Sequence, residues 1–95
     1  MRPVSVKITL PQRIRIFSCS EGDQEGGRLF RTGKELPATT VIRIWSADFF
    51  QYDHREVEAV PFRYCGTLFY FLLEEIYDPL LKERIKRIEH FAIAA

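Results

Sequence analysis

The first half of the chain alternates between apolar and polar positions. Val4, Val6 and Ile8 are separated by Ser5, Lys7 and Thr9, the period of two that places one face of a strand on a core and the other in water. Leu10-Pro11-Gln12 interrupts the pattern. Arg13-Ile14-Arg15-Ile16-Phe17 resumes it, with both isoleucines inward and both arginines outward. Residues 18–27 hold three Gly and three acids but no large apolar side chain, which predicts a loop, followed at once by a short strand over 28–32. Residues 32–37 read as a turn. Thr40 to Trp45 is almost wholly β-branched or aromatic, the strongest strand signal in the chain. Ser46-Ala47-Asp48 predicts a cap on a short helical turn through Phe49 and Phe50. Arg55 to Tyr64 reads as extended again, with Pro61 confining it to an edge or a bulged strand.

From residue 66 onward the pattern becomes helical. Thr67 is the expected N-cap of a helix running to Tyr77. Asp78-Pro79 supplies a cap and a proline at the first helical position, which starts a second helix through about Phe91. Leu81, Ile85 and Ile88 form its apolar stripe. Residues 1–95 thus read as one α+β domain, strand-rich over 1–65 and helical over 66–95. The expected architecture is a four- to five-stranded, mostly antiparallel sheet with two C-terminal helices packed on one face.

The segment 67–77 has the largest functional consequence. On a helix, Phe69, Leu72, Leu73 and Ile76 form one stripe, while Leu68, Tyr70 and Phe71 fall outside it. A helix that only lines a core needs a stripe of about 100°, so a second surface must cover this one. The cover is either the chain's own sheet and final helix or another chain, most simply a symmetric copy. The sequence from Phe91 to Ala95 carries no charge and adds apolar surface to the same end. The expected interface is therefore Leu68, Phe69, Phe71, Leu72 and Ile76 with Phe91 and Ile93. The expected partner is a second copy in a homodimer, or another protein subunit.

Composition adds two points. Aromatic residues make up 14% of the chain, which argues for a core or interface built from large rings. Net charge is only +1, yet residues 1–47 hold eight Lys and Arg against four Asp and Glu, and residues 48–95 hold six against nine. The basic character sits on the strands. Arg13, Arg15, Arg31 and Arg43, interleaved with Trp45 and phenylalanines, could offer guanidinium groups to phosphates and rings to bases. A small RNA- or single-strand-binding module is therefore the runner-up reading. Its plainer counterpart is that strand arginines face solvent and shelter apolar surface with their stems.

Catalytic chemistry is not favoured. Cys19 and Cys65 lack metal-site spacing and read as two reduced thiols, with Cys65 a small buried packing residue. Asp53, His54, Glu56, Glu58, Cys65 and His90 contain the parts of a thiol or metal site without any recognised spacing. Cys65 is the one nucleophile worth testing, as a third possibility. No cofactor or metal site is expected. The longest apolar run, Leu68 to Leu73, is far short of the roughly 20 residues of a membrane span, and no signal peptide is expected from the Met-Arg-Pro start. A soluble, cytoplasmic, non-enzymatic interaction or accessory protein is the leading expectation.

Overall fold

A computed structural model describes residues 4–20 and 26–89. Seven strands and one α-helix occur among them: β1 (Val6–Thr9), β2 (Ile14–Cys19), β3 (Leu29–Leu36), β4 (Val41–Ile44), β5 (Asp48–Tyr52), β6 (Arg55–Tyr64), β7 (Thr67–Leu72) and α1 (Pro79–Lys86). A single 3₁₀ turn, Leu73–Glu75, follows β7. The strands form one sheet in the order β1-β4-β6-β7-β2-β3, with β5 also paired to β6, and every strand pair is antiparallel. The fold is α+β.

Local chemistry accounts for the turns. Asp53 and His54 (φ 53° and 62°) link β5 to β6, and Cys65 and Gly66 (φ 52° and 78°) link β6 to β7. Both are two-residue loops with positive φ at each central residue, the geometry whose twist matches that of the flanking strands. Asp78 caps α1: its Oδ1 accepts from the N–H groups of Leu80 (2.9 Å) and Leu81 (3.3 Å), with Pro79 next in the chain.

Two bulges bend the sheet. Between the pairs Ile44↔Phe62 and Asp48↔Ala59, residues 45–47 oppose only 60–61, so β4 and β5 are one long strand broken in its middle. Pro61 sits opposite the break. Its carbonyl accepts from the Trp45 N–H at 3.0 Å, so the N–H it lacks would have pointed into the bulge, where the ladder is already interrupted. On β3, residues 32–34 oppose Ile16 alone, with Gly33 at φ 80°.

The bent sheet curls back on itself. Gly26 donates to the Phe49 carbonyl (2.8 Å) and Gln51 donates to the Gly27 carbonyl (2.9 Å), which ties the residues entering β3 to the free edge of β5. Strands β5, β6, β7, β2 and β3 thereby close around Phe17, Leu29, Phe50, Val57, Ala59, Tyr70 and Leu72. Phe50 and Tyr70 meet edge to face with ring centroids 4.9 Å apart. The opposite face carries a larger core, in which Ile8, Ile14, Ile16, Ile42, Ile44, Phe62 and Phe71 pack under Leu81 and Ile85 of α1.

This arrangement corrects the helical reading of residues 67–77. Residues 67–72 are a strand lying between β6 and β2, and both of its faces are covered. Phe69 and Phe71 join the α1-side core, while Leu68, Tyr70 and Leu72 join the enclosed one. A strand buried on both faces needs no alternation, and its unbroken apolar run mimics an all-apolar helix. Residues 48–52 are likewise a strand and not a helical turn, and β6 is a central strand in unbroken register with β7, the bulge lying in the β4–β5 strand opposite Pro61. Only α1 is α-helical among the described residues, and it ends at Lys86. No helix among the described residues is long and apolar enough to cross a membrane.

Candidate functional site

The expected interface set is dispersed by the strand geometry. Phe71 and Ile76 are 1% exposed and Leu72 0%, so their surface is spent on the chain's own two cores. Leu68 and Phe69 are half-buried at the end of β7 nearest the Cys65-Gly66 turn. Phe91 and Ile93 lie outside the described residues. The excess apolar surface inferred for a helix is therefore absorbed within the sheet.

An apolar surface remains elsewhere. A groove of about 450 Å³ runs between β1 and the C-terminal end of α1, lined by Val4, Val6, Ile8, Ile44, Ile85 and Ile88, with Arg84, Arg87 and Glu89 at its polar margin. It lies beside the outer edge of β1, which pairs only with β4 among the described residues. The two ends of the sheet are treated differently. The β3 edge is broken by the Gly33 bulge and carries Arg31, Lys34 and Glu35, devices that discourage a further strand from pairing. β1 has no bulge. Tyr77 and Leu80, 84% and 78% exposed, project at the other end of α1.

The acidic residues Glu74 and Glu75 do not form an open cluster; each is held by an arginine. Arg15 Nε donates to Glu75 Oε2 at 3.0 Å, and its Nη2 donates to the same oxygen. Arg55 grips Glu74 through two bonds of 2.9 and 2.8 Å. Hydrogen bonding from Arg55 holds the Glu74 carboxyl below the usual carboxylate range, and the bonds to Glu75 and Glu74 raise the already high values of Arg15 and Arg55. Gln12 clips the same segment, donating to the Glu75 carbonyl and accepting from the Tyr77 N–H, both at 2.8 Å. The corner joining β7 to α1 is braced from β2 and from the β5–β6 turn.

These pairings divide the arginines expected to face nucleic acid. Arg15 is committed to Glu75 and lies over the Phe17 ring, 5.2 Å from its centroid. Arg13 faces Glu35 at 3.5 Å. Arg31 is exposed on β3, at the opposite end of the strand order from Arg43. Arg43 and Trp45 remain, and the register gives Arg43 two basic neighbours that the sequence did not point to. Lys7 on β1 pairs with Arg43, and Arg43 pairs with Arg63 on β6. Residues paired across antiparallel strands point to the same face, so Lys7, Arg43 and Arg63 form one row.

The catalytic candidates are not brought together. His54 and Cys65 occupy the two turns at opposite ends of the ten-residue β6, roughly 30 Å apart along an extended strand. Cys65 is exposed, not a buried packing residue. It sits at the rim of a shallow pocket with Lys34, Glu35, Tyr64 and Phe69 that contains no histidine to act as its base. His90 lies outside the described residues. Neither Cys19 nor Cys65 is in a disulfide. Among the described residues no group of three or more His, Cys, Asp and Glu is placed to hold a metal ion.

Comparison of the chain with protein-family models, with curated proteins and with solved structures finds no match.

Proposed function

We propose that this chain is a small non-enzymatic association module that acts as a homodimer, or as a subunit of a larger assembly, by adding a strand from its partner to the outer edge of β1. The observation that carries the reading is the coincidence of two features. An edge strand whose outer side is unpaired among the described residues offers backbone donors and acceptors, and an apolar groove beside it offers a place for alternate side chains of an added strand. Four residues of β1 supply few ladder bonds, so the groove residues Val4, Val6 and Ile88 carry most of the affinity. A second copy is the simplest partner, since two β1 edges meeting about a two-fold axis satisfy each other.

Sedimentation velocity on the full chain from about 1 to 300 μM tests this. The expected result is a concentration-dependent dimer that dissociates in Val4→Lys and Ile88→Lys, with far-UV circular dichroism unchanged. A monomer across the whole range, or a dimer indifferent to both substitutions, would overturn it.

A further inference from the structure

Lys7, Arg43 and Arg63 stand side by side on three adjacent strands, β1, β4 and β6, as consecutive register partners. Directly opposed side chains in antiparallel pairs have Cβ atoms about 4.5–5.5 Å apart, and like charges at that spacing repel. All three residues are exposed. Among the described residues none of them has an acidic partner, and the one hydrogen bond to a side chain is from Arg43 Nη1 to Ser5 Oγ at 3.2 Å. The contrast with Arg13, Arg15 and Arg55 is direct, because each of those meets a glutamate. A row of three cations with no acidic partner among the described residues, on a chain of net charge only +1, is an arrangement that folding alone disfavours and that an anionic ligand would relieve.

The surroundings narrow the class of anion. Positions next to the row on the same side are Ser5 and Thr9 beside Lys7, Val41, exposed on β4, Pro61, half-buried on β6, and Leu68, the half-buried register partner of Arg63 on β7. Trp45 follows Arg43 by two positions, is half-buried, and still donates its N–H to the Pro61 carbonyl, so the alternation that exposes Arg43 continues through it. An exposed sheet face with planar guanidinium groups, one ammonium and an indole suits a flexible chain that presents both phosphates and flat rings. Guanidinium groups bind phosphate in a bidentate fork and also stack on bases. An acidic peptide would leave the ring and apolar positions unused. A membrane surface would call for apolar side chains projecting beyond the cations, and none of the three strands supplies a projecting one larger than Val41 among the residues on this face.

We infer that the sheet face bearing Lys7, Arg43 and Arg63, with Trp45 beside them, binds single-stranded nucleic acid through its phosphates and bases. The site lies on the opposite face of the sheet from the groove, away from Ile8, Ile42 and Ile44, although Lys7 belongs to the same edge strand.

Two readouts on the full chain test the inference. Fluorescence anisotropy with labelled 15-nucleotide oligo-uridine and oligo-thymidine, from 20 to 200 mM KCl, reports binding. The fluorescence of Trp45, the only tryptophan in the chain, reports its location. Three phosphate contacts predict a log–log salt slope of about −2, at roughly −0.7 per contact for single strands. Lys7→Thr, Arg43→Thr and Arg63→Thr should each weaken binding several-fold and make the slope shallower by roughly 0.7. Arg31→Thr, on the far end of the strand order, should leave both unchanged. Binding should also quench Trp45. No binding at 20 mM KCl, or binding indifferent to the three row substitutions, would overturn the inference. Equal competition by heparin or phosphatidylserine vesicles without any Trp45 quench would overturn it too, since the surface would then be a general polyanion site.

Discussion

Arg43 and Arg63 are register partners across β4 and β6, two cations facing each other with no carboxylate of the described residues between them. An opposed like-charge pair on a sheet is destabilising by a few tenths to about 1 kcal/mol, and salt screens it over a Debye length of about 10 Å at 0.1 M. Arg63→Thr should therefore raise the melting temperature in 20 mM NaCl, and the gain should shrink towards zero in 0.5 M NaCl. A melting temperature that falls at low salt would mean that the pair is compensated in the free protein.

Phe71 gives the sharpest test of the strand assignment for residues 67–72. Its ring is 1% exposed and packs against Phe62, with centroids 5.9 Å apart. Truncating a buried phenylalanine removes both transfer energy and packing, typically about 3–5 kcal/mol. Phe71→Ala should lose stability of that order in urea denaturation, and Phe71→Glu should not fold. On a helix offering an outer apolar face, the glutamate would be tolerated and would only disrupt association.

The β5–β6 turn holds room for improvement. His54 adopts φ 62° in a two-residue loop that contains no glycine. A left-handed conformation costs an L-residue about 1–2 kcal/mol, partly offset by the greater entropy that glycine loses on folding. His54→Gly should stabilise the chain by about 0.5–1 kcal/mol, read as a higher denaturation midpoint with an unchanged m-value. A loss of stability would show that His54 makes a compensating contact.

Acid should loosen the braced corner. Arg55 holds the Glu74 carboxyl below its ordinary value, so the folded state binds the proton less readily than the unfolded one. The contribution is fully present above the ordinary carboxylate pKa of about 4.3 and is lost as pH falls through the lowered folded value. Wild type should melt higher than Glu74→Gln at pH 7, and the two curves should converge as the pH drops below about 4. A gap that persists at pH 2.5 would assign the difference to something other than this ion pair.

Much of the sheet was legible in the sequence because its strands are local patterns. The alternation of Ile8, Ile14 and Ile16 marks one core face correctly, Thr40 to Trp45 contains β4, and Asp78-Pro79 locates the start of α1. The error at 67–77 has a physical cause, since burial on both faces erases the period of two that distinguishes a strand from a helix. The available clue was Cys65-Gly66, a two-residue turn between two apolar runs, which is a hairpin signal. The candidate surfaces were less visible. Lys7, Arg43 and Arg63 are far apart in the chain and become neighbours only through the register of β1, β4 and β6. The groove depends on how α1 lies against β1, and the arginines that looked equivalent were sorted by glutamates from distant segments.

Hydrogen–deuterium exchange on the full chain at low and high protein concentration, resolved to short peptides, tests the account most directly. The amides of β7 should exchange slowly at every concentration, as the centre of a sheet does. The amides of residues 4–9 should exchange faster when dilute and become protected as concentration rises, in step with the sedimentation of a dimer. Rapid exchange in β7, or exchange at residues 4–9 that does not change with concentration, would contradict association through the β1 edge of a sheet built around β7.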